Sequence, residues 1–311
     1  MASLKEVKSR IASVRNTLQI TSAMKMVSAA KLHHAQQAIQ GMHPYEEKLH
    51  AILNDLLANG AQTLEAGTFF GSCKHAEDGL EIDETPIQQR VAVVVFSSNS
   101  SLCGGFNANV IKYFKKVIEG LNNEGITNND IEVYAIGKKI AAAARKQGFE
   151  QEKDYAHLAE HPNYEEASAL GKKLMNDYVE GRITKVILVY NHYASNSNQP
   201  TLQETWLPLD SSDALFVNAT SAAPVDDAEQ LIVEPSSEEL IRELLPKVLL
   251  QKIYTVLLDA NAAEHAARTV AMQIASDNAE KLLDELTLEY NKTRQQKITA
   301  EILDLVGGLQ R

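Results

Sequence analysis

The sequence predicts an α/β protein in which long N- and C-terminal helices form an antiparallel coiled coil and a central domain carries a mainly parallel sheet. Three observations predict it. Apolar residues near both ends of the 311-residue chain recur at alternating spacings of three and four. The middle of the chain alternates short β-branched runs with helical patterns. The chain also holds 38 alanines against 18 aromatic residues, a balance that suits closely packed helix pairs rather than one thick core.

The N-terminal helix shows its seam at Leu4, Val7, Ile11, Val14 and Leu18. The seam is then expected to slip onto Ile20, Ala23, Val27 and Ala30, whose small members let a partner helix approach. Gly41 and Pro44 predict a bend or a short break. The pattern resumes through Leu49, Ile52, Leu53, Leu56 and Leu57 and stops at Asn59-Gly60. Leu4 to Asn59 would span roughly 80 Å. At the other end, Ser236 with Glu239 after Pro235 forms a capping box, and Pro246 predicts a kink. The seam beyond it reads Ile253, Val256, Ala260, Ala263, Ala267, Val270 and Ile274. After Asp277 it shifts to Leu282 or Leu283, Leu286 and Tyr290, and it finishes on Ile298, Ile302, Leu305 and Leu309. Gly307-Gly308 is the terminator. Two long alanine-rich seams, one at each end, read as partners.

Between them, Val91–Phe96 is a buried strand, followed by a Ser/Gly loop and a helix over Ala108–Leu121. Ile131–Ile136 is a second strand, followed by a helix through Ala141–Ala144. A helix over Tyr164–Glu180 leads to a third strand, Lys185–Tyr190. This β-α-β-α-β order implies right-handed crossovers and a Rossmann-like parallel sheet. The predicted organisation is a coil helix at 1–59, a Gly-rich acidic linker at 60–89, and the α/β domain at 90–207. A Pro-containing loop at 208–235 and the second coil helix at 236–311 complete it.

Composition narrows the function. The longest apolar runs, Val91–Phe96 and Val186–Tyr190, fall far short of the ~18 residues that span a bilayer, so no direct membrane insertion is expected. The N-terminus lacks the apolar core of a secretory signal. Two cysteines, Cys73 and Cys103, make no disulfide framework. The net charge of −11 is unevenly spread. Residues 1–40 hold Lys5, Lys8, Arg10, Arg15, Lys25 and Lys31 against Glu6, a net of +5, which leaves −16 for the rest. A phosphate backbone would be repelled by most of this surface, whereas an acidic protein partner would be attracted to the basic segment.

Candidate chemistry is thin. No phosphate-cradling G-x-x-x-x-G-K-[ST] occurs, and Gly104-Gly105 lacks the G-x-G-x-x-G spacing, so no cofactor is expected. Cys103 sits where a strand-to-helix turn could expose a nucleophile, but Ser101 occupies the place of the required glycine. A small buried thiol is the plainer reading. His157 to His161 matches H-x-x-E-H, yet Pro162 disfavours helix at His161, so two imidazoles on one helical face are not expected. His33 and His34 are adjacent and point apart. These features leave a cysteine- or zinc-dependent hydrolase, or a coiled-coil nucleic-acid binder, as alternatives. Against them stands one anomaly. Met24, Met26 and Val27, and again Ile298, Leu303, Leu305 and Val306, lie on several faces of their helices, which suggests a tip enclosed by other chains.

Three blocks carry a family resemblance. The first runs from Leu4-Lys5-Glu6 through Arg10-Ile11, Ser13-Val14, Asn16-Thr17, Ile20-Thr21, Ala23-Met24-Lys25-Met26-Val27 and Lys31-Leu32. The second is Leu102-Cys103-Gly104-Gly105-Phe106-Asn107. The third includes Glu264-His265-Ala266-Ala267-Arg268, Asn278-Ala279, Tyr290-Asn291-Lys292, Arg294-Gln295, Ile298-Thr299 and Val306-Gly307-Gly308. Together they resemble the gamma subunit of F-type ATP synthase. The resemblance implies a non-catalytic central-stalk rotor that couples proton flow to ATP synthesis or hydrolysis. Its implied partners are the alpha and beta subunits of a catalytic hexamer, the epsilon subunit and the membrane c-ring, with the delta subunit reached only through the complex. It implies that Met24 and Lys25 lie near lever loops of the beta subunits, with Arg268 supporting the same region. Arg294, Gln295 and Thr299 would contact hexamer loops, and Ile302 and Val306 would turn in an apolar collar. Ser22 and Asn99-Ser100-Ser101 depart from the family pattern. The absence of paired cysteines between Tyr190 and Leu209 implies no thiol switch. With the first block starting at Leu4, no presequence is expected, and the implied location is the cytoplasmic face of a bacterial inner membrane.

Overall fold

A computed structural model describes residues 4–60, 89–150, 153–209, 234 and 236–308. Most of the two linkers at 60–89 and 208–235, with Cys73, Pro235 and Leu309, lies outside these residues. In chain order the elements are α1 (Leu4–Gly60), β1 (Val91–Phe96), α2 (Phe106–Asn123), β2 (Ile131–Ile136) and α3 (Lys138–Lys146). They continue with α4 (Ala156–Glu160), α5 (Tyr164–Val179), β3 (Lys185–Asn191), β4 (Thr201–Leu207) and α6 (Ser237–Gly308). The Ser236 hydroxyl accepts the Glu239 N–H at 3.3 Å, capping α6.

Among the described residues the sheet has four strands in the order β2-β1-β3-β4. β1 runs parallel to β2 and to β3, and β4 returns antiparallel along β3. The sheet is therefore mixed, and β4 is the strand that sequence reading missed. Its run, Thr-Leu-Gln-Glu-Thr-Trp-Leu, carries a charge and sits at an edge, so it shows neither a buried run nor clean alternation. β1 is buried along its whole length because helices cover both faces. On one face Val91, Val93 and Val95 meet Val110 and Phe114 of α2 and Ile140 and Ala144 of α3. On the other, Ala92, Val94 and Phe96 join a core that includes Leu158 of α4, Leu170 of α5, Leu53 of α1 and Leu249 of α6. The lower halves of both long helices are thus a layer of the domain, not an appendage. α5 crosses α6 at Gly171, where a Cβ would stand 2.6 Å from Leu250 Cδ2.

The helices run unbroken through Pro44 and Pro246, which corrects the expected break near Gly41. Each proline removes only one N–H from the ladder, and the buried Leu49 and Leu53 beyond Pro44, and Val248 and Leu249 beyond Pro246, anchor the helix past it. α1 extends over about 86 Å and α6 over about 108 Å.

The seam of α1 never slips. The alternation begun at Leu4 continues through Thr21, Lys25, Ser28, Leu32 and Ala35 to Leu49, Leu53 and Leu56, and Thr21, Ser28, Leu32 and Ala35 are buried. Ile20 and Val27, expected inside, are 60% and 58% exposed. On α6 the facing residues are Met272, Ser276, Ala279 and Leu286, while Ile274 is 55% exposed. The reason is geometric: a helix under-wound to 3.5 residues per turn keeps its phase whatever the side chains are. Thr21 accepts from the Ser276 hydroxyl at 2.9 Å, and Lys25 Nζ donates to Gln273 Oε1. The coil therefore has a polar stretch in its seam.

Candidate functional site

The strand order β2-β1-β3 sets the topological switch point between β1 and β3, where doubly wound sheets hold ligands beyond the strand ends. Here α6 and the loop after β1 fill that crevice. Asn107 organises the loop: its Oδ1 accepts the Ser98 N–H at 3.2 Å and its Nδ2 donates to Ser98 Oγ at 2.8 Å. The same amide reaches Cys103 Sγ at 3.0 Å. Cys103 and Phe106 then pack on Ala263 of α6, with Ala267 and Tyr193 at the rim. Gly104, at φ 59°, approaches so closely that its Cβ would lie 3.7 Å from that of Ala271. On the other side Asn261 Nδ2 donates to the Ala159 carbonyl at 2.9 Å. The crevice that would take a ligand grips a helix instead.

A buried ion pair locks this grip. Arg268 Nη2 donates to Glu264 Oε1 at 2.6 Å, and Nη1 donates to the Ser101 carbonyl at 2.5 Å. Both side chains are about nine-tenths buried. Burial pushes the Glu264 carboxyl up, and Arg268, with Lys31 of α1 behind it, opposes the rise. His265 is held down to about 4, first by burial and then by the charges of Lys31 and Arg268. It is neutral at neutral pH, consistent with its place beside two cations.

The structure divides the expected contact residues into two groups. Met24, Lys25 and Arg268 lie on the paired coil; Met24 and Lys25 are half-buried and Arg268 is buried. The Thr21–Ser276 and Lys25–Gln273 pairs fix an antiparallel register. Continued to Leu4, that register reaches Thr293, and from Arg294 to Leu303 every residue of α6 is exposed. Arg294, Gln295, Thr299 and Ile302 stand on this extension, about 22 Å long, which the described part of α1 does not reach. Val306 lies on the same helix. The apolar side chains Ile298, Ile302, Leu303 and Leu305 are exposed there, and so are Met26 and Val27 on the coil.

The alternative chemistries find no support in the geometry. Cys103 is a buried thiol beneath the loop. His157 lies on α4, a short helix whose Leu158 and Ala159 are buried in the sheet core. Its Nε2 pairs with Glu166, while His161 caps α4 at φ −130°, ψ 81°, off the helical face. Among the described residues no three His, Cys, Asp or Glu side chains gather as a metal site, and no helix is long and apolar enough to cross a membrane. Sequence reasoning missed Asn107 and Asn261 as gripping residues. Of the two, only Asn107 lies in one of the three resemblance blocks, Leu102–Asn107.

Comparison with known proteins follows the same lines. A family profile described as ATP synthase matches residues 3–310. The chain is 47% identical over 313 residues to the ATP synthase gamma chain of Phocaeicola vulgatus, with 99% of each chain covered. It is 49% identical over 308 residues to that of Bacteroides fragilis, again with 99% of each covered. In fold it is similar to a chain of the Euglena gracilis mitochondrial ATP synthase OSCP/F1/c-ring structure, at TM-score 0.61 and 17% identity, covering 99% of this chain and 93% of that one. A chain of the Tetrahymena thermophila mitochondrial central stalk and c-ring structure gives TM-score 0.53 at 18% identity, covering 83% and 99%.

Proposed function

The chain belongs to the ATP synthase gamma-chain family, and from that premise we propose that it is the non-catalytic shaft of a proton-translocating complex, standing at the cytoplasmic face of a bacterial inner membrane. The coil enters a hexamer of alpha and beta subunits, and the α/β domain rests with the epsilon subunit on the c-ring; the delta subunit is reached only through the complex. Met24 and Lys25 face the beta-subunit lever loops, supported by Arg268. Arg294, Gln295 and Thr299 touch the hexamer, and Ile302 and Val306 turn in its apolar collar.

The observation that carries this reading is the unpaired end of α6. A single helix exposing Ile298, Ile302, Leu303 and Leu305 is poorly stable alone in water and calls for surrounding protein. The shaft is also asymmetric, two helices below and one above, so turning presents a different surface to each neighbouring site. Each site is then biased toward open or closed by no more than the difference in its contacts with the two faces. Ending the chain before Thr287 removes the single helix and the last coil turns. In the assembled complex, proton pumping per ATP hydrolysed should fall several-fold while hydrolysis continues, since one lost site contact of about 1–2 kcal/mol is worth roughly a factor of ten. Unchanged pumping per ATP would count against the shaft.

A further inference from the structure

The connection between β3 and β4 carries a contact set that the gripping crevice does not explain. Asp259 of α6 accepts from the Tyr193 backbone N–H at 2.9 Å and pairs with His192 Nδ1 at 2.6 Å. The Tyr193 hydroxyl accepts from Gln36 Nε2 of α1 at 2.8 Å and donates to Asn196 Oδ1 at 2.7 Å. Its ring packs both on the seam formed by Leu32, Ala35, Ala262 and Ala266 and on the Cys103–Phe106–Ala263 cluster. One side chain thus touches α1, α6 and the loop after β1.

The level at which it does so matters. At Leu32 and Ala35 the two helices meet mainly through alanines, which bury little area and interdigitate little. Such a seam resists separation more than it resists rotation or sliding of one helix past the other. Below this level Leu49, Leu53 and Leu56 tie α1 to the sheet core. Above it Thr21 and Lys25 of α1 bond to Ser276 and Gln273 of α6. The Gln36–Tyr193 hydrogen bond ties the α/β domain directly to α1 at this level.

We propose that Tyr193 is a positioning residue that sets the rotational phase of α1 against the α/β domain where the coil leaves it. His192 and Asp259 hold the tyrosine in place from the α6 side. The inference rests on the shaft reading: torque arriving at the domain reaches α6 through the crevice and reaches α1, at this level, through Tyr193.

The test uses the assembled membrane complex carrying Tyr193→Phe, Gln36→Leu or both, with ATP hydrolysis and ATP-driven proton pumping measured on the same vesicles. Phenylalanine keeps the ring packing and removes the hydroxyl. Each single variant should lower pumping per ATP about two- to five-fold with hydrolysis retained, the range that loss of one net hydrogen bond allows. The double variant should be no worse than either single one, because both remove the same bond. A merely structural role would instead lower assembly and hydrolysis together. Additive losses, or pumping per ATP unchanged in Tyr193→Phe, would overturn the proposal. The chain ended before Thr287 is assayed alongside. Uncoupling there with none in Tyr193→Phe rejects the positioning role alone, and no uncoupling in either rejects the shaft reading and this role with it.

Discussion

Arg268→Ala lowers the unfolding free energy of the chain by about 3–5 kcal/mol, the usual cost of breaking a buried ion pair from one side. The mechanism has two parts. Glu264 would remain buried without its partner, and the Ser101 carbonyl would lose its donor. Because burial already raises the Glu264 carboxyl and Arg268 opposes the rise, removing Arg268 lifts it further. A carboxyl whose folded pKa lies above its unfolded value gives stability below the unfolded value and loses it as pH rises through the folded one. The deficit of the variant should therefore widen as pH increases above about 4.5, a slope that guanidinium unfolding at several pH values would read. The double change Glu264→Leu with Arg268→Met should recover much of the stability, since apolar replacement of a buried pair is often neutral or better. It should not recover the tether to Ser101, so in the complex coupling stays impaired while the fold is restored.

Gly137→Ala should be nearly as damaging, by a different route. Gly137 links β2 to α3 at φ 112°, and its Cβ would lie 2.2 Å from the Ser97 carbonyl oxygen and 2.7 Å from Ser97 Oγ. Relief must come from the backbone, because the nearest atom belongs to the last turn of chain leaving β1. We expect a loss of roughly 3 kcal/mol or more, from the strained φ and the contact together. The damage also has an address. Ser97 Oγ accepts the Ile140 N–H at 3.0 Å, and the Ser98 carbonyl accepts the Lys139 N–H at 3.2 Å. Pushing Ser97 away shifts Ser98, then Asn107, then the loop that covers Cys103. In a Cys73→Ser background the Cys103 thiol should be slow to react with a thiol reagent, and Gly137→Ala should make it fast. Unchanged protection would show that the loop does not depend on this turn.

Much of the architecture was readable in the residues, for reasons that also explain the errors. Val91–Phe96 and Ile131–Ile136 were found at their observed ends because strands covered on both faces need unbroken apolar runs. The α1 seam was followed correctly only while it was apolar. At Thr21, Lys25 and Ser28 the interface becomes polar, so hydrophobicity alone points to Ile20, Ala23 and Val27, which are exposed. The three-four phase from Leu4 runs through the buried Thr21 and Ser28 and leaves Ile20 and Val27 exposed. β4 escaped because an edge strand needs little apolar pattern. The grip of the crevice on α6 was not legible because it joins Ser101 to Arg268 and Asn261 to Ala159, contacts far apart in sequence that only the packed sheet brings together. Of the expected contact residues, Arg268 has an internal role visible in the structure, while Arg294, Gln295, Thr299 and Ile302 are exposed on a stretch of α6 beside which no described residue lies.

The most direct measurement follows rotation itself. With the catalytic hexamer fixed to a surface and a probe attached to the exposed face of α2, added ATP should drive the probe round in one direction, in steps that track turnover. A probe that stays fixed, or only fluctuates, while ATP is hydrolysed at the normal rate would contradict a shaft built from α1 and α6.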